Sequence, residues 1–152
     1  MNFPWNAQQL IADVDQIFGR ANAQFDPQIQ SDFAKYLVIR VSGLVEQVIT
    51  EVVLVHTTSR ANPTVSDHVS WRMGTFQNPN TERILQLVGS FKKSWRVELE
   101  SELTESERIA LGSINVQRNK VAHGQNSTIS LAQVQQYYDE IKSLLTKVAA
   151  KF

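Results

Sequence analysis

The feature that most constrains this chain is a hydrophobic stripe that keeps a helical spacing over more than twenty residues. Phe33, Leu37, Val41, Leu44, Val48, Val52 and Val55 return every three or four positions. That interval lays one face of a long α-helix on a core, whereas a half-buried strand needs alternation at period two. The run is rich in valine, which favours strands, but the spacing outweighs the propensity. Asp26-Pro27 supplies a start, an N-cap acceptor followed by proline at the first helical position. The helix is expected to reach about Thr58. Ser42-Gly43 weakens it in the middle, which argues for a close helix–helix contact there.

The same rhythm runs through most of the sequence. A first helix is expected from about Ala7 to Gln24, carrying Leu10, Val14, Ile17 and Phe18 on one face. Ser59 to Ser66, with Asn62-Pro63, reads as a loop, and a short helix is expected after Asp67, ending near Gly74. Another runs from about Thr81 to Glu100 with Ile84, Val88, Phe91 and Trp95. Thr104 and Glu107 form a capping-box pattern that opens a helix ending at Gly124. Ser130 and Gln133 repeat the pattern for the last helix, whose seam of Leu131, Val134, Tyr138, Ile141, Leu145, Val148 and Phe152 needs a partner within the chain or across a dimer. The expectation is an all-α bundle of five to six helices, one domain over residues 1–152.

Composition removes several classes of function. The chain has no cysteine, which excludes disulfides, thiolate metal sites and cysteine nucleophiles. Fifteen Lys plus Arg balance fifteen Asp plus Glu, which argues against a long electrostatic groove for nucleic acid but leaves room for a pocket that engages one phosphate. Met1 to Asn6 lack the basic start and apolar run of a signal peptide, and Val52-Val53-Leu54-Val55 is far too short to span a bilayer. A soluble, cytoplasmic protein without membrane contact is expected. No His-Glu-x-x-His site, glycine-rich phosphate loop or serine nucleophile elbow is present, and His56 and His68 have no ligand-like spacing. No metal and no cofactor is implied.

One segment breaks the apolar pattern: Arg118-Asn119-Lys120-Val121-Ala122-His123-Gly124. Arg118 follows Leu111 and Ile114 and precedes Val121 on the face that should be buried. A guanidinium keeps its charge, so it needs either an acidic partner or a site that takes an anion. Glu46 or Glu51 on the long helix is a candidate partner. His123 stands just before the expected stop at Gly124, where a histidine can equally be a dipole-stabilised cap. Five helical steps leave Arg118 and His123 about 140° apart, so sharing a face requires the helix to end between them. An Arg–His pair at one of three spacings arises ~0.5 times by chance in such a chain, and requiring a polar residue after the arginine lowers this to ~0.06, so Asn119 carries the specificity.

An arginine, a polar neighbour and a histidine four to six residues on, at the end of a helix in a small bundle, resembles the HEPN superfamily. Ile39-Arg40-Val41-Ser42-Gly43-Leu44-Val45-Glu46 is similar to its RiboL-PSP branch, so the resemblance covers about Asp26 to Gly124. It implies a homodimer in which two such motifs meet and cleave RNA without metal, with Arg118 and His123 as the catalytic pair and Asn119 at the polar position. It also implies a role in phage defence or a toxin-like stress response, with a possible inhibitory or antitoxin-like protein partner. One departure is visible: HEPN toxins paired with nucleotidyltransferase antitoxins carry a tyrosine two residues after the histidine, where this chain has Gln125.

These residue types suit attack of an RNA 2′-hydroxyl on the adjacent phosphorus. Histidine, with a reference pKa of ~6.5, can give or take a proton near neutrality, and arginine presents a fork that fits phosphate oxygens. Asn119 is expected to bond the phosphate or hold the imidazole. Products would be 2′,3′-cyclic phosphate and 5′-hydroxyl ends. Among supporting residues, Lys120 would add charge, while Arg40, beside Leu37 and Leu44, is expected to be structural with an acidic partner. The basic cluster Phe91-Lys92-Lys93-Ser94-Trp95-Arg96 is a weaker RNA track. Two readings remain beside the nuclease: a non-catalytic module that binds RNA, a nucleotide or a protein, and a structural dimerisation domain built on the last helix.

Overall fold

The computed structural model describes residues 3–21 and 25–152. Among these the chain forms seven helices and no strand: α1 (Trp5–Gly19), α2 (Pro27–Thr58), α3 (Pro63–Met73), α4 (Thr81–Phe91), α5 (Lys93–Glu102), α6 (Glu105–Ala122) and α7 (Leu131–Ala149). The all-helical expectation holds and the count rises by one. The expected end of the first helix at Gln24 lies outside the described residues; among them, α1 stops at Gly19. Met1 and Asn2 also lie outside them.

Helix α2 is the axis of the bundle, packed on α1, α6, α7 and α3. Asp26 caps it by accepting from the Gln28 amide at 2.9 Å, with Pro27 at the first position. Leu37, Val41, Leu44, Val48 and Val52 are buried, but Val55 is 46% exposed. Val41, Val48 and Val55 keep a strict seven-residue interval, and a straight helix drifts ~20° per heptad, so the last of them has turned towards solvent. The close contact expected at Gly43 is not there, since a Cβ built on it meets nothing within 4 Å. Ser42 instead bonds a loop residue, Asn78.

Asn62-Pro63 repeats the Asp26-Pro27 signature: Asn62 accepts from the Thr64 amide at 3.0 Å, and α3 begins there rather than after Asp67. The extra helix comes from a break at Lys92, whose extended backbone separates α4 from α5. A continuous helix would hold Glu82 and Arg96 about 21 Å apart. The break brings them to 2.9 Å. Gly89 permits the fold-back, because a Cβ there would stand 3.1 Å from that of Arg96. Trp95 joins Phe91, Phe152 and His56 in a ring cluster, and His56 Nδ1 lies 2.7 Å from the Phe152 carbonyl oxygen.

Helices α6 and α7 form an antiparallel hairpin, and the seam of α7 finds its partners in α6 and α2. The dimerisation reading built on that seam loses its premise. Both capping boxes form as expected. Glu107 of the first is also the main buried charge, 1% exposed. Its carboxylate accepts from Ser143 at 2.6 Å and from the Thr104 amide at 2.8 Å, and pairs with Lys147 at 2.7 Å. Burial opposes its charge, yet Lys147, Ser143 and the Thr104 amide together hold its carboxyl below the usual carboxylate range. On the opposite side, Tyr138 stacks on Phe18 at 4.5 Å and donates to Asp15 at 2.8 Å, tying α1 to α7.

A depressed carboxyl contributes stability above its unfolded value and loses it as pH falls through the folded one. Glu107→Gln keeps the capping geometry but removes the buried charge, and should cost about 2 kcal/mol at pH 7. Urea titrations should show the gap between variant and parent closing as pH drops below ~4. A gap that stays constant down to the acid transition would contradict this role for Glu107.

Candidate functional site

The segment that departs from the apolar pattern occupies the last turns of α6. The helix remains regular to Ala122 and His123 is its C-cap, so it does not end between Arg118 and His123 as sharing a face required. Gly124, at φ +66°, reverses the chain. Its amide donates to Val121 O at 3.2 Å and the Gln125 amide to Lys120 O at 2.8 Å, the paired bonds of a Schellman closure. His123 is thereby held at the mouth of the helix with its side chain exposed.

Arg118 is partly buried and has no ion pair among the described residues. The two carboxylates expected to meet it are engaged elsewhere: Glu46 accepts from the Asn78 backbone amide and Glu51 from Asn6 at 3.1 Å. Its guanidinium donates instead to Asn119 Oδ1 at 3.3 Å. This contact changes the geometry of the motif. Asn119 and His123, four residues apart, lie about 40° apart around the helix. By reaching for Asn119, Arg118 swings its guanidinium out of its own direction and towards the face those two share. The Asn119 carbonyl oxygen is thus engaged by the arginine.

The supporting residues stand further back. Lys120 is partly buried one residue beyond Asn119. Glu46 does not reach the motif; it secures the loop before α4, whose Pro79 carbonyl accepts from Asn115 at 3.1 Å, one turn before Arg118. Asn78 takes a φ of 44°, a left-handed conformation asparagine tolerates, so that its amide meets Glu46. Arg40 has no acidic partner among the described residues and donates to the Tyr36 hydroxyl at 3.4 Å. In the basic cluster, Trp95 is drawn into the ring cluster and Arg96 is paired with Glu82.

A further feature of α6 had no counterpart in the sequence reading. Ile109, Gly112, Val116, Asn119 and His123 all face solvent, and their spacing confines them to an arc of about 80°. Ile109 is 51% and Val116 54% exposed, and the space above Gly112 is open. The signal was legible as a second three–four stripe on α6, alongside the core-facing one of Ala110, Leu111 and Ile114. Three cavities of about 510, 320 and 210 Å³ are lined by other residues.

The family model described as RiboL-PSP-HEPN matches residues 5–152, nearly the whole chain and further in both directions than the segment that carried the resemblance. No curated protein and no solved structure matches it. No cluster of three or more potential metal ligands, and no helix long and apolar enough to cross a membrane, occurs among the described residues.

Gly124→Ala forces a side chain into the left-handed region and should destabilise the fold by about 1 kcal/mol in chemical denaturation. The helix ending that positions His123 should loosen with it, visible as faster amide exchange at Gln125. An unchanged midpoint and unchanged exchange would show that the closure does not depend on glycine.

Proposed function

The chain belongs to the RiboL-PSP-HEPN family, and from that premise we propose that it is a metal-independent endoribonuclease whose active site is completed across a homodimer by Arg118, Asn119 and His123 of each subunit. The observation that carries this reading is the Arg118–Asn119 bond. A guanidinium with no carboxylate among the described residues is turned by its polar neighbour to the side of the helix that bears an exposed histidine. A phosphodiester is the anion that such a pair suits.

The chemistry needs two proton transfers and a charge. One imidazole takes the proton of the 2′-hydroxyl as its oxygen bonds to phosphorus. The other gives a proton to the 5′-oxygen as the P–O5′ bond breaks, and the guanidiniums neutralise the phosphorane oxygens. A single chain has one imidazole in this segment, so a two-fold axis beside it supplies the second. The exposed stripe Ile109-Gly112-Val116 leads directly into Asn119 and His123 and offers the apolar contact such an axis requires. The whole chain then acts as one HEPN-like domain, and Lys120 adds charge beside the strand. A role in phage defence or a toxin-like stress response is the setting in which such a nuclease would act. The alternative, a module that binds RNA, a nucleotide or a protein without cutting, draws on the absence of Arg118 and His123 from the three cavities.

Purified protein in excess chelator should convert end-labelled RNA to fragments with 2′,3′-cyclic phosphate ends. His123→Ala and Arg118→Ala should each lower the rate about a hundredfold or more. Asn119→Ala, which frees the arginine without removing it, should cost about tenfold. Cleavage only with added magnesium, or a full rate from His123→Ala, would overturn the proposal.

A further inference from the structure

Remote from the α6 motif in sequence, α3 and α4 enclose a groove of about 510 Å³, within the roughly 300–1,000 Å³ range of small-ligand sites. His68 and Arg72 reach it from α3, and Arg83, Gln86 and Ser90 from α4. Its floor is apolar, with Met73, Phe76, Leu87 and Phe91. Among the described residues no carboxylate lines it, although acidic residues are as numerous in this chain as lysine and arginine together. Glu82, which accepts from Gln86 at 3.1 Å, is already neutralised by Arg96.

The two arginines are differently prepared. Arg83 is braced: its terminal nitrogens donate to the Thr75 carbonyl at 2.6 Å and the Gln77 carbonyl at 3.3 Å, and its guanidinium lies 5.6 Å from the Phe76 ring centre. Five guanidinium N–H groups less these two bonds leave donors to spare. Arg72 is exposed and has no ion pair among the described residues. Two guanidiniums lining one groove suit a phosphate, while the Phe76 and Phe91 rings in the same lining suit a flat ring.

We propose that the α3–α4 groove binds a nucleoside phosphate, its phosphate held by Arg72 and Arg83 and its base on the apolar floor. The site shares no residue with the Arg118–His123 motif and does not depend on RNA cleavage. The same chemistry is presented by a free nucleotide and by one unit of a strand.

The test is calorimetric titration of the full chain with adenosine 5′-monophosphate, adenosine, inorganic phosphate and a short 2′-O-methyl oligoribonucleotide that cannot be cleaved. Adenosine monophosphate should bind at least tenfold tighter than adenosine or phosphate alone. Arg72→Gln, which disturbs no hydrogen bond of the fold, should weaken it at least tenfold with an unchanged melting temperature. An oligonucleotide that binds at least tenfold tighter than the mononucleotide, and is weakened by the same substitution, marks a strand as the occupant; one that binds no tighter marks a free nucleotide. The proposal is overturned if neither probe binds or if Arg72→Gln leaves both affinities unchanged. Arg83 is the poorer probe, because its loss also frees the Thr75 and Gln77 carbonyls.

Discussion

Burial of the long face of α2 is the constraint on which the rest of the molecule depends. A thirty-two-residue helix cannot hide its valine-rich stripe alone. α1, α6 and α7 close over it with their core-facing apolar residues. That leaves α6 with one wall in the core and the opposite wall in water. The candidate motif sits where this helix ends, so its exposure follows from how the bundle is covered.

The buried Glu107 fixes α6 lengthwise. Its carboxylate belongs at once to the N-cap of α6 and to Ser143 and Lys147 of α7, so the start of α6 cannot slide against its neighbour. At the other end the Schellman closure at Gly124 sets where the helix stops. Between these two anchors the direction of each side chain is determined by the helical repeat. Asn119 then alters one of those directions by holding Arg118.

Much of the fold was legible in the residues because its signals are local. Capping boxes at Thr104 and Ser130, the Asp26-Pro27 start and the glycine stop each act within a few residues. The misreadings have tertiary causes or neglect a local one. The break at Lys92 has no proline to announce it, Gly89 matters only through its contact with Arg96, and the break brings together partners fourteen residues apart. Asn62-Pro63, in the expected loop, carries the same local signature of a helix start as Asp26-Pro27. Gly43 suggested a close helix and has open space instead. In the motif, residue types and spacing singled out Arg118 and His123, but not that the expected carboxylates are bound elsewhere, since that depends on Asn6 and the loop at Asn78.

The central claim is that two imidazoles, one from each subunit, act on one phosphodiester. Subunit exchange between the parent protein and His123→Ala tests it most directly, by following RNA cleavage against the mole fraction of parent chain. If both histidines are needed, mixed dimers are inactive and activity follows the square of that fraction, about a quarter at equal proportions. A linear decline, to about half, would mean that each chain cuts on its own, and the composite site would be wrong.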